Sequence, residues 1–374
     1  MILASLDATS LRIPFTRAFR HAAANRLATQ TIWVVARGQH GCIGFGEGCP
    51  REYVTGESCA SARTFVAARA KGLRTSIRDM ASLSAWVDAH ACEIDRNPSA
   101  WAAVELALLD LIGRTEGRAL ESLLGLPPIT GTFRYTAVLG DATPGNFDAQ
   151  LGAYLRTGFR EFKVKLCGDR ARDQAKARAL AAAGIAPQAV RADANNLWRD
   201  ADAAIIYLEA LQFPFWALEE PLPAGDYDGM RRVSAALDAR IILDESLSRA
   251  AQLDAVARDA WRWIVNLRIS KMGGLLRSLR VAAKAQRSGI GLIVGAHVGE
   301  TSILTRAALA LAGDFGDIIV AREGAFGTHL LERDVIDPPL MFGHGGLLDA
   351  TALGIGAAAG LGLDVVAAAA RAGY

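Results

Sequence analysis

Hydrophobic and polar positions follow two different patterns along the chain, and the change falls near residue 125. The first part has short alternating stretches, followed by apolar positions at three- and four-residue steps. These patterns predict strands at 32–36 and 42–45 and helices at roughly 57–71, 81–94 and 98–115. Because strands are followed by helices rather than interleaved with them, we expect an α+β domain over residues 1–125.

From about Phe133 onward, short apolar runs alternate with long helices rich in Ala, Leu and Arg. The predicted strands are 133–139, 162–166, 189–193, 216–219, 241–244, 264–268, 292–297 and 318–323. Such alternation implies right-handed crossovers and a parallel sheet. Eight units in about 190 residues match a (β/α)8-type barrel, although no eighth helix is evident. We therefore expect a barrel over 126–340 and a C-terminal segment, 341–374, that returns to the first domain.

The composition is that of a globular protein, with 51% hydrophobic and 21% charged residues. The 41 Lys and Arg nearly balance the 39 Asp and Glu, so nucleic acid is not expected as a partner. No apolar run reaches the roughly 18 residues that a membrane span needs. Five cysteines without a C-x-x-C pair favour free thiols over disulfides or a zinc site. With no basic-then-apolar leader at the start, we expect a cytoplasmic protein.

A polar residue stands at the end of each predicted barrel strand from the second to the eighth. These residues, 24 to 29 positions apart, are Lys165, Asp193, Glu219, Asp244, Arg268, His297 and Glu323. In barrels of this type the active site lies on the face formed by the carboxyl ends of the strands. The seven side chains are therefore expected to converge on one mouth.

Asp193, Glu219 and Asp244 end three consecutive strands. A single carboxylate in such a place often pairs with a nearby arginine, but three converging carboxylates repel one another and require a neutralising charge. All-oxygen ligation without histidine or cysteine favours Mg²⁺ over zinc. The sequence therefore predicts a magnesium site at these three residues.

Lys163 and Lys165 lie two positions apart on one strand, so both side chains are expected to point into the barrel. Buried lysines are rare unless they are paired or functional. A neighbouring ammonium and partial desolvation disfavour the charged form of Lys165, which favours a role as general base. Lys163 is expected either to neutralise the carboxylates or to contact substrate.

The ordered set of motifs resembles the enolase superfamily over nearly the whole chain, and most closely its muconate lactonizing enzyme and dipeptide epimerase subgroup, with some similarity to mandelate racemase. The matching strings are 162–165 (FKVK), 193–195 (DAN), 219–221 (EEP), 244–246 (DES), 271–274 (KMGG), 44–47 (GFGE), 53–57 (YVTGE), 103–107 (AVELA) and 360–364 (GLGLD).

The resemblance implies an α+β capping domain over a (β/α)7β barrel. It also implies Mg²⁺, with Mn²⁺ as an alternative, on Asp193, Glu219 and Asp244, and Lys165 as the base that removes a proton α to a carboxylate. Members of the family usually form homo-oligomers, so a homo-oligomer is expected here too.

The sequence departs from the epimerase pattern at the sixth strand, where Arg268 replaces the expected second lysine. Arginine stays protonated at neutral pH, so it is a poor base but a good clamp for a carboxylate or stabiliser of an enolate. His297 and Glu323 resemble the arrangement in mandelate racemase, although the aspartate that would orient that histidine is absent. His297 is either a second proton carrier, with Glu300 to orient it, or a structural residue.

Substrate contacts are expected from cap loops folding over the mouth, around 15–26 and 53–57. The candidates are Phe19, His21 and Arg26, together with Asn195 beside Asp193. Each is otherwise explained by loop packing. The segment 322–329 lacks the aspartate-rich ending of dipeptide epimerases, which weakens the case for a dipeptide substrate.

The leading interpretation is a Mg²⁺-dependent isomerase, a racemase, epimerase or cycloisomerase, acting on a small-molecule carboxylate through an enolate. A dehydratase of acid sugars or hydroxy acids, and so a lyase, is the nearest alternative. A Schiff-base lyase using Lys165 as nucleophile would leave the three carboxylates unexplained. A metal-binding barrel without catalysis also remains open, because the second lysine is missing.

Overall fold

The structure, a computed structural model, describes residues 2–21, 24–39, 41–324 and 327–370. Its N-terminal part begins with strands β1 (Leu3–Leu11), β2 (Pro14–His21), β3 (Ala24–Ala28), β4 (Thr31–Gly38) and β5 (Ile43–Gly48). Strands β1, β4 and β5 form an antiparallel sheet with β4 in the centre, which agrees with the nearly continuous burial of β4. Strands β2 and β3 pair separately as an antiparallel hairpin.

Helices follow this sheet: α1 (Glu52–Thr55), α2 (Cys59–Ser76), α3 (Met80–Ala89), α4 (Ala91–Ile94), α5 (Pro98–Glu116) and α6 (Leu120–Leu124). Helices α2 and α5 lie where the sequence predicts helices, α3 and α4 divide the predicted helix 81–94 between them, and α1 and α6 are additional. Helix α5 is buried from Pro98 to Gly113 and packs on β5. Its first turn is capped from outside by the buried Glu57, which accepts hydrogen bonds from the backbone N–H groups of Ser99 and Ala100 at 2.8 and 2.9 Å.

The remaining chain forms the predicted parallel barrel and the C-terminal segment, with β6 and β15 paired in a separate antiparallel sheet. Its elements are β6 (Thr132–Arg134), β7 (Ala137–Leu139), α7 (Pro144–Arg156), β8 (Phe162–Lys165), α8 (Arg170–Ala182), β9 (Val190–Asp193), α9 (Ala201–Glu209), β10 (Ala217–Glu219), α10 (Tyr227–Leu237), β11 (Arg240–Leu243), β12 (Trp263–Leu267), α11 (Ile269–Met272), α12 (Leu275–Ser288), β13 (Gly291–Val294), α13 (Ser302–Asp314), β14 (Ile319–Arg322), α14 (Gly327–Leu330), β15 (Leu347–Asp349), α15 (Ala350–Leu353) and α16 (Ala367–Ala370). Short 3₁₀ turns lie at Pro187–Ala189, Ala250–Ala255, Ala257–Arg262, Gly316–Ile318 and His344–Gly346.

Strands β7 to β14 form one curled sheet in which each strand is parallel to the next along the chain. The N–H of Thr136, just before β7, donates to the carbonyl of Arg322 at the end of β14, at 2.8 Å, and so joins the two edges. The (β/α)7β barrel with an α+β cap is thus confirmed. After β14, the described residues contain the one-turn helix α14 in place of a full eighth barrel helix.

The barrel interior is apolar on one side and polar on the other. Ala217, Ile242, Ile264, Ile293 and Ala321 form a buried cluster from β10 to β14 that is separate from the main core. On the opposite side, the buried Lys163 and Arg191 are paired in register on β8 and β9. A polar interior requires partners for each charge, and these come from the strand ends described below.

The C-terminal segment contacts the cap. Leu361 N–H donates to Asp110 of α5 at 2.8 Å, Arg114 donates to the carbonyl of Leu363 at 2.8 Å, and Leu120 N–H donates to the carbonyl of Gly360 at 2.9 Å. The buried Arg306 of α13 in the barrel donates to the carbonyl of Leu361 at 2.7 Å and forms two hydrogen bonds with Glu121 of α6, at 2.7 and 2.8 Å. These contacts tie the segment to both the cap and the barrel.

The sequence analysis expects a loop at residues 15–26, but the described part of this segment largely forms the β2–β3 hairpin. Phe15 forms a β-bridge with Leu331, and the hydroxyl of Thr16 donates to the carbonyl of Leu330 at 3.2 Å. The hairpin is therefore held against the segment that follows the last barrel strand. Among the described helices, none combines the length and apolar character that crossing a membrane requires.

Candidate active site

The carboxyl ends of the barrel strands bring the predicted polar residues together. Lys165, Asp193 and Glu219 are the last residues of β8, β9 and β10, and Asp244, Arg268 and Glu323 directly follow β11, β12 and β14. His297 lies three residues beyond β13. All are buried except Lys165, whose side chain is 13% exposed. The expectation that these side chains meet at one mouth agrees with this placement.

Lys163 lies at the centre of the carboxylates. Its Nζ is 2.9 Å from Asp193, 2.6 Å from Glu219 and 3.2 Å from Glu323. Burial disfavours its charge, but the three carboxylates outweigh burial and raise the pKa of Lys163 above its ordinary value. Lys163 is therefore a fixed positive charge beneath the mouth.

Lys165 lies above Lys163 on the same strand and lines the cavity. Its Nζ contacts Asp193 at 2.5 Å and Asn195 Oδ1 at 2.9 Å. Asn195 adopts a left-handed backbone conformation with φ 46°, which asparagine tolerates better than most residues. This turn brings the Asn195 side chain back onto the lysine.

Asp244 is held by two cations. Arg268 donates to its Oδ2, and Lys271 Nζ lies 2.9 Å from its Oδ1. Lys271 also donates to the carbonyls of Asp244 and Asn266, at 2.7 and 2.8 Å. The ammonium of Lys271 therefore does not follow the turn after β12 but reaches back to the strand end, where it fixes Asp244.

Arg268 and Lys165 face each other across the mouth, because β8 and β12 are four strands apart in the eight-stranded sheet of the described barrel. Burial opposes the charge of Arg268, but Asp244 and Glu219 raise its pKa above the ordinary value. Arg268 thus remains a cation where epimerases of the subgroup are expected to have a lysine.

The carboxylates of the site differ in charge because their partners differ. Burial raises the pKa of Asp193, but Lys163 and Lys165 outweigh it and lower the pKa below its usual range. Lys163 and Arg191 likewise outweigh burial at Glu323, whose pKa is lowered to about 2. Burial and the charge of Asp193 raise the pKa of Glu219 to about 7. Burial and Asp244 raise the pKa of Glu245 to about 8. Asp193 and Glu323 are therefore ionised at neutral pH, whereas Glu219 and Glu245 hold their protons more tightly.

Three buried oxygens of this site have no hydrogen-bond partner among the described residues: Glu219 Oε2, Glu245 Oε2 and Asn266 Oδ1. Glu219 Oε2 is close to Lys163 Nζ but outside hydrogen-bond geometry. Buried carboxylate and amide oxygens without donors fit a hard divalent cation. Asp193, Glu219 and Asp244, with Glu245 beside them, are the residues suited to hold it.

His297 forms part of the cavity wall next to Arg268. Burial, followed by the charges of Arg268 and Arg51, holds the pKa of His297 well below its usual range. Its Nδ1 is 3.3 Å from Glu300 Oε1, and its backbone N–H donates to that same oxygen at 2.8 Å. The ring is therefore neutral at pH 7 and close to the carboxylate that was considered as its orienting group.

A cavity of about 990 Å³ opens above these residues. Its lining includes Lys163, Lys165, Asn195, Arg268, His297 and Glu323, together with Phe19 and Tyr53 from the cap. Arg26 is not among the lining residues, and its role as a substrate contact stays a prediction. Its guanidinium bonds to Gln30 and to Tyr53, which does line the cavity. The side chain of His21 lies outside the described part of the chain.

Sequence reasoning missed several residues that hold the site. Glu220 accepts hydrogen bonds from the N–H groups of Asp244 and Ser246 at 2.6 and 2.7 Å. Arg191 donates to Glu323 at 2.6 Å and Asn266 to Glu219 at 3.0 Å. The doubled acids at 219–220 and 244–245 were a signal for Glu220 and Glu245.

Comparison with known proteins agrees with this geometry. The family profile described as "Enolase C-terminal domain-like" matches residues 146–367. The L-Lys-D/L-Arg epimerase of Methylococcus capsulatus is 30% identical over 89% of this chain and 95% of its own length. A chloromuconate cycloisomerase of Cupriavidus pinatubonensis is 30% identical over 75% of this chain and 76% of its own.

A solved structure extends the comparison to the whole fold. The muconate lactonizing enzyme of Pseudomonas fluorescens, in complex with muconolactone, superposes with a TM-score of 0.85 and 25% identity, covering 99% of this chain and 98% of that one. The curated relatives named here are isomerases, as expected from the sequence. The chain therefore belongs to the enolase C-terminal domain-like family, in the branch of epimerases, racemases and cycloisomerases.

Proposed function

We propose that this protein is a Mg²⁺-dependent isomerase in which Lys165 removes the proton α to a substrate carboxylate. The observation that carries the proposal is the placement of Lys165. Both Lys163 and Lys165 line the 990 Å³ cavity, but the strand-end Lys165 has a side chain that is 13% exposed, whereas that of Lys163 is 3% exposed and held among three carboxylates. A base must reach the substrate, and Lys165 meets that requirement.

Asp193, Glu219 and Asp244 would hold the Mg²⁺, or Mn²⁺ in its place. Their oxygens, and the unpartnered oxygen of Glu219, suit a hard cation. When bound, the ion supplies positive charge where negative charge develops on the substrate carboxylate. Glu323 is ionised and bonded to both Lys163 and Arg191, so we assign it a positioning role.

Across the mouth, Arg268 supplies a second fixed positive charge. Because its guanidinium does not exchange protons at neutral pH, it stabilises charge or clamps a carboxylate but does not act as a base. A proton on the face opposite Lys165 must come from another group. His297 is the adjacent candidate: it is neutral, lines the cavity and lies 3.3 Å from Glu300.

This arrangement favours epimerisation or racemisation, with Lys165 exchanging a proton on one face and His297 on the other. Several relatives act on amino-acid derivatives, among them an L-Ala-D/L-Glu epimerase of Bacillus subtilis and an N-succinyl-L-Arg/Lys racemase of Bacillus cereus. We therefore propose an amino-acid-derived carboxylate, with an N-acyl amino acid ahead of a dipeptide, as the substrate class. The cavity has room for either.

A second candidate is cycloisomerisation, which one base can perform. Arg268 supports cycloisomerisation, because in that reaction the residue that faces Lys165 needs only to supply positive charge and not to exchange a proton. The cycloisomerase relative is as similar in sequence as the epimerase, although over less of the chain. A dehydratase remains the alternative outside the isomerase class.

Hydrogen exchange at the α carbon tests the proposal. With Mg²⁺ in D₂O, we expect NMR to detect deuterium incorporation into one compound class of a panel of N-acyl amino acids, dipeptides, muconates and hydroxy acids. Exchange should be lost with EDTA and, by a factor of at least ~10² since the base is removed, in Lys165→Ala. Unchanged exchange in that variant, with its fold verified by circular dichroism, would refute the assignment of the base.

The substrate's stereochemistry separates the two candidates. If His297 exchanges the proton on the substrate face opposite Lys165, the variant His297→Asn should exchange the α proton of one stereoisomer and not that of the other. If the enzyme is a cycloisomerase, this variant should retain exchange on the Lys165 face and continue to form the ring.

We also infer the domain limits 1–125, 126–340 and 341–374, which the contacts of Leu361 and Leu363 with α5 support. A homo-oligomer in the cytoplasm is the assembly and location that we propose.

A further inference from the structure

Three metal-ligating side chains meet where the cap touches the barrel. Cys49 Sγ, a ring nitrogen of His297 and a carboxylate oxygen of Glu300 all lie within 4.8 Å of one another. Cys49 directly follows β5 of the cap, whereas His297 and Glu300 lie in the loop after β13. We call these three residues the Cys–His–Glu cluster. Cys49 lies almost 250 positions before His297, so no spacing in the sequence predicts the cluster.

The histidine of this cluster lacks a hydrogen-bond partner. His297 is 3% exposed, and neither of its ring nitrogens is hydrogen-bonded within the described part of the chain. The Nδ1–Glu300 approach of 3.3 Å falls outside hydrogen-bond geometry. Burying a polar ring without partners costs free energy, and a ligand at the ring would offset that cost.

The donor types of the cluster differ from those of the carboxylate site. A thiolate, an imidazole and a carboxylate are the mixture that Zn²⁺ accepts, whereas Mg²⁺ takes oxygen donors. Cys49 is a free thiol, fully buried. Three protein ligands leave one tetrahedral position open, and here it would open toward the cavity that His297 and Glu300 line.

Positive charge near the cluster disfavours a bound cation, so the charges of the neighbouring arginines must be compared with those of the ligands. Arg51 donates to the carbonyls of Gln30 and Val298, and Arg268 donates to Asp244, so both guanidiniums are held by other acceptors. A thiolate and a carboxylate together carry two negative charges, which balance a divalent ion. The cluster is therefore close to neutral when the ion is bound.

We propose that the Cys–His–Glu cluster is a second metal site, for Zn²⁺ or a similar borderline-soft divalent ion, separate from the magnesium site. On binding, the S–H bond of Cys49 breaks, its proton passes to solvent and a sulfur–metal bond forms. Because the ligands come from both domains, the ion would cross-link cap and barrel. It would also remove His297 from proton exchange and so inhibit the enzyme; this last consequence rests on the proposed function, but binding does not.

Cobalt is the probe for the test, because a thiolate bound to Co²⁺ gives an intense ligand-to-metal charge-transfer absorption. In the full-length protein with excess Mg²⁺, we expect this band to saturate with one equivalent of Co²⁺ and to disappear when Zn²⁺ displaces it. Cys49→Ser should lose the band, whereas Cys59→Ser, a half-buried cysteine outside the cluster, should keep it. A missing band in the unaltered protein, or a band that persists in Cys49→Ser, overturns the proposal.

A second variant covers the case that Cys49→Ser folds poorly. His297→Asn keeps the thiol, and we expect it to weaken Co²⁺ binding by more than the roughly 10–100-fold that an outer-shell partner is worth. Zn²⁺ should also raise the Tm of the unaltered protein and leave the Tm of His297→Asn unchanged. Equal Co²⁺ affinity in both proteins contradicts the site. If Mg²⁺-dependent exchange fails while the cobalt band remains, the proposed function alone is wrong.

Discussion

At the scale of single residues, the site depends on a carboxylate that faces away from the cavity. Glu220 accepts from the N–H groups of Asp244 and Ser246 through one oxygen, and from the Ser246 hydroxyl at 2.7 Å through the other. It adopts a left-handed backbone conformation with φ 40°, which turns its side chain toward the next strand. Glu220 thereby fixes the loop that carries Asp244.

Removing this carboxylate should weaken metal binding although Glu220 is not itself a proposed ligand. We expect Glu220→Ala to lower the affinity for Mg²⁺ by about 10–100-fold, as measured by titration calorimetry, since the Asp244 loop loses its anchor. Glu209→Ala, an exposed acid at the end of α9, is the control. Equal affinity in both variants would show that Glu220 does not position the site.

At the scale of elements, the cap depends on the close approach of β5 and α5. Strand β5 has glycine at positions 44, 46 and 48, on the face that meets the helix. A Cβ on Gly46 would lie 2.0 Å from the carbonyl oxygen of Ala103, and one on Gly48 would lie 1.9 Å from that of Ser99. These contacts are with backbone atoms, which do not rotate away. Glycine is therefore required here for packing rather than for a special φ.

A single methyl group at this contact should be costly. We expect Gly46→Ala to lower the free energy of unfolding by about 3 kcal/mol or more, because strand and helix must separate. Gly72→Ala in the exposed part of α2, where a Cβ meets no atom within 4 Å, should instead raise it by about 0.5–1 kcal/mol. Urea unfolding of both variants measures the difference, and a similar small effect at both positions would contradict the packing argument.

The sequence predicted those elements in which the spacing of hydrophobic residues matches the period of the secondary structure they form. The barrel strands and α5 were found because each is buried along a regular pattern. Strand β1 and the β2–β3 hairpin were missed, since small polar residues, alanine and arginine dominate them and no tight-turn signal joins β2 to β3. They form because β1 pairs along its length with β4 and because the hairpin docks on Leu331.

The same distinction applies to the candidate site. Strand-end residues were predictable because the period of a βα unit places them on one face. Arg191, Lys271 and Asn266 were not, since their roles depend on side chains that cross between strands.

At the scale of the whole molecule, cap and barrel are joined by buried carboxyl groups. Glu47 of β5 accepts from the N–H and hydroxyl of Thr301 in the barrel, at 3.0 and 2.8 Å. Glu105 of α5 accepts from the N–H of Leu276, at the start of α12, at 2.9 Å. Burial raises the pKa of Glu105 to about 7. The junction is therefore sensitive to pH.

The direction of this sensitivity follows from the raised pKa. A carboxyl that binds its proton more tightly when folded stabilises the fold below its unfolded pKa, near 4.5, and this contribution is lost as the pH rises through about 7. We expect Glu105→Gln to reduce the loss of unfolding free energy between pH 5 and pH 8, measured by urea unfolding across that range. A pH profile parallel to that of the unaltered protein would exclude Glu105 as its source.

The contacts between the C-terminal segment and α5 bear on how the protein is made. A ribosome releases the chain from its amino end, and domains generally fold as units during synthesis. Here the backbone groups of Leu361 and Leu363 bond to the side chains of Asp110 and Arg114, on a helix translated some 250 residues earlier. These side chains of the cap's central helix therefore meet their partners only after the barrel between them has been synthesised.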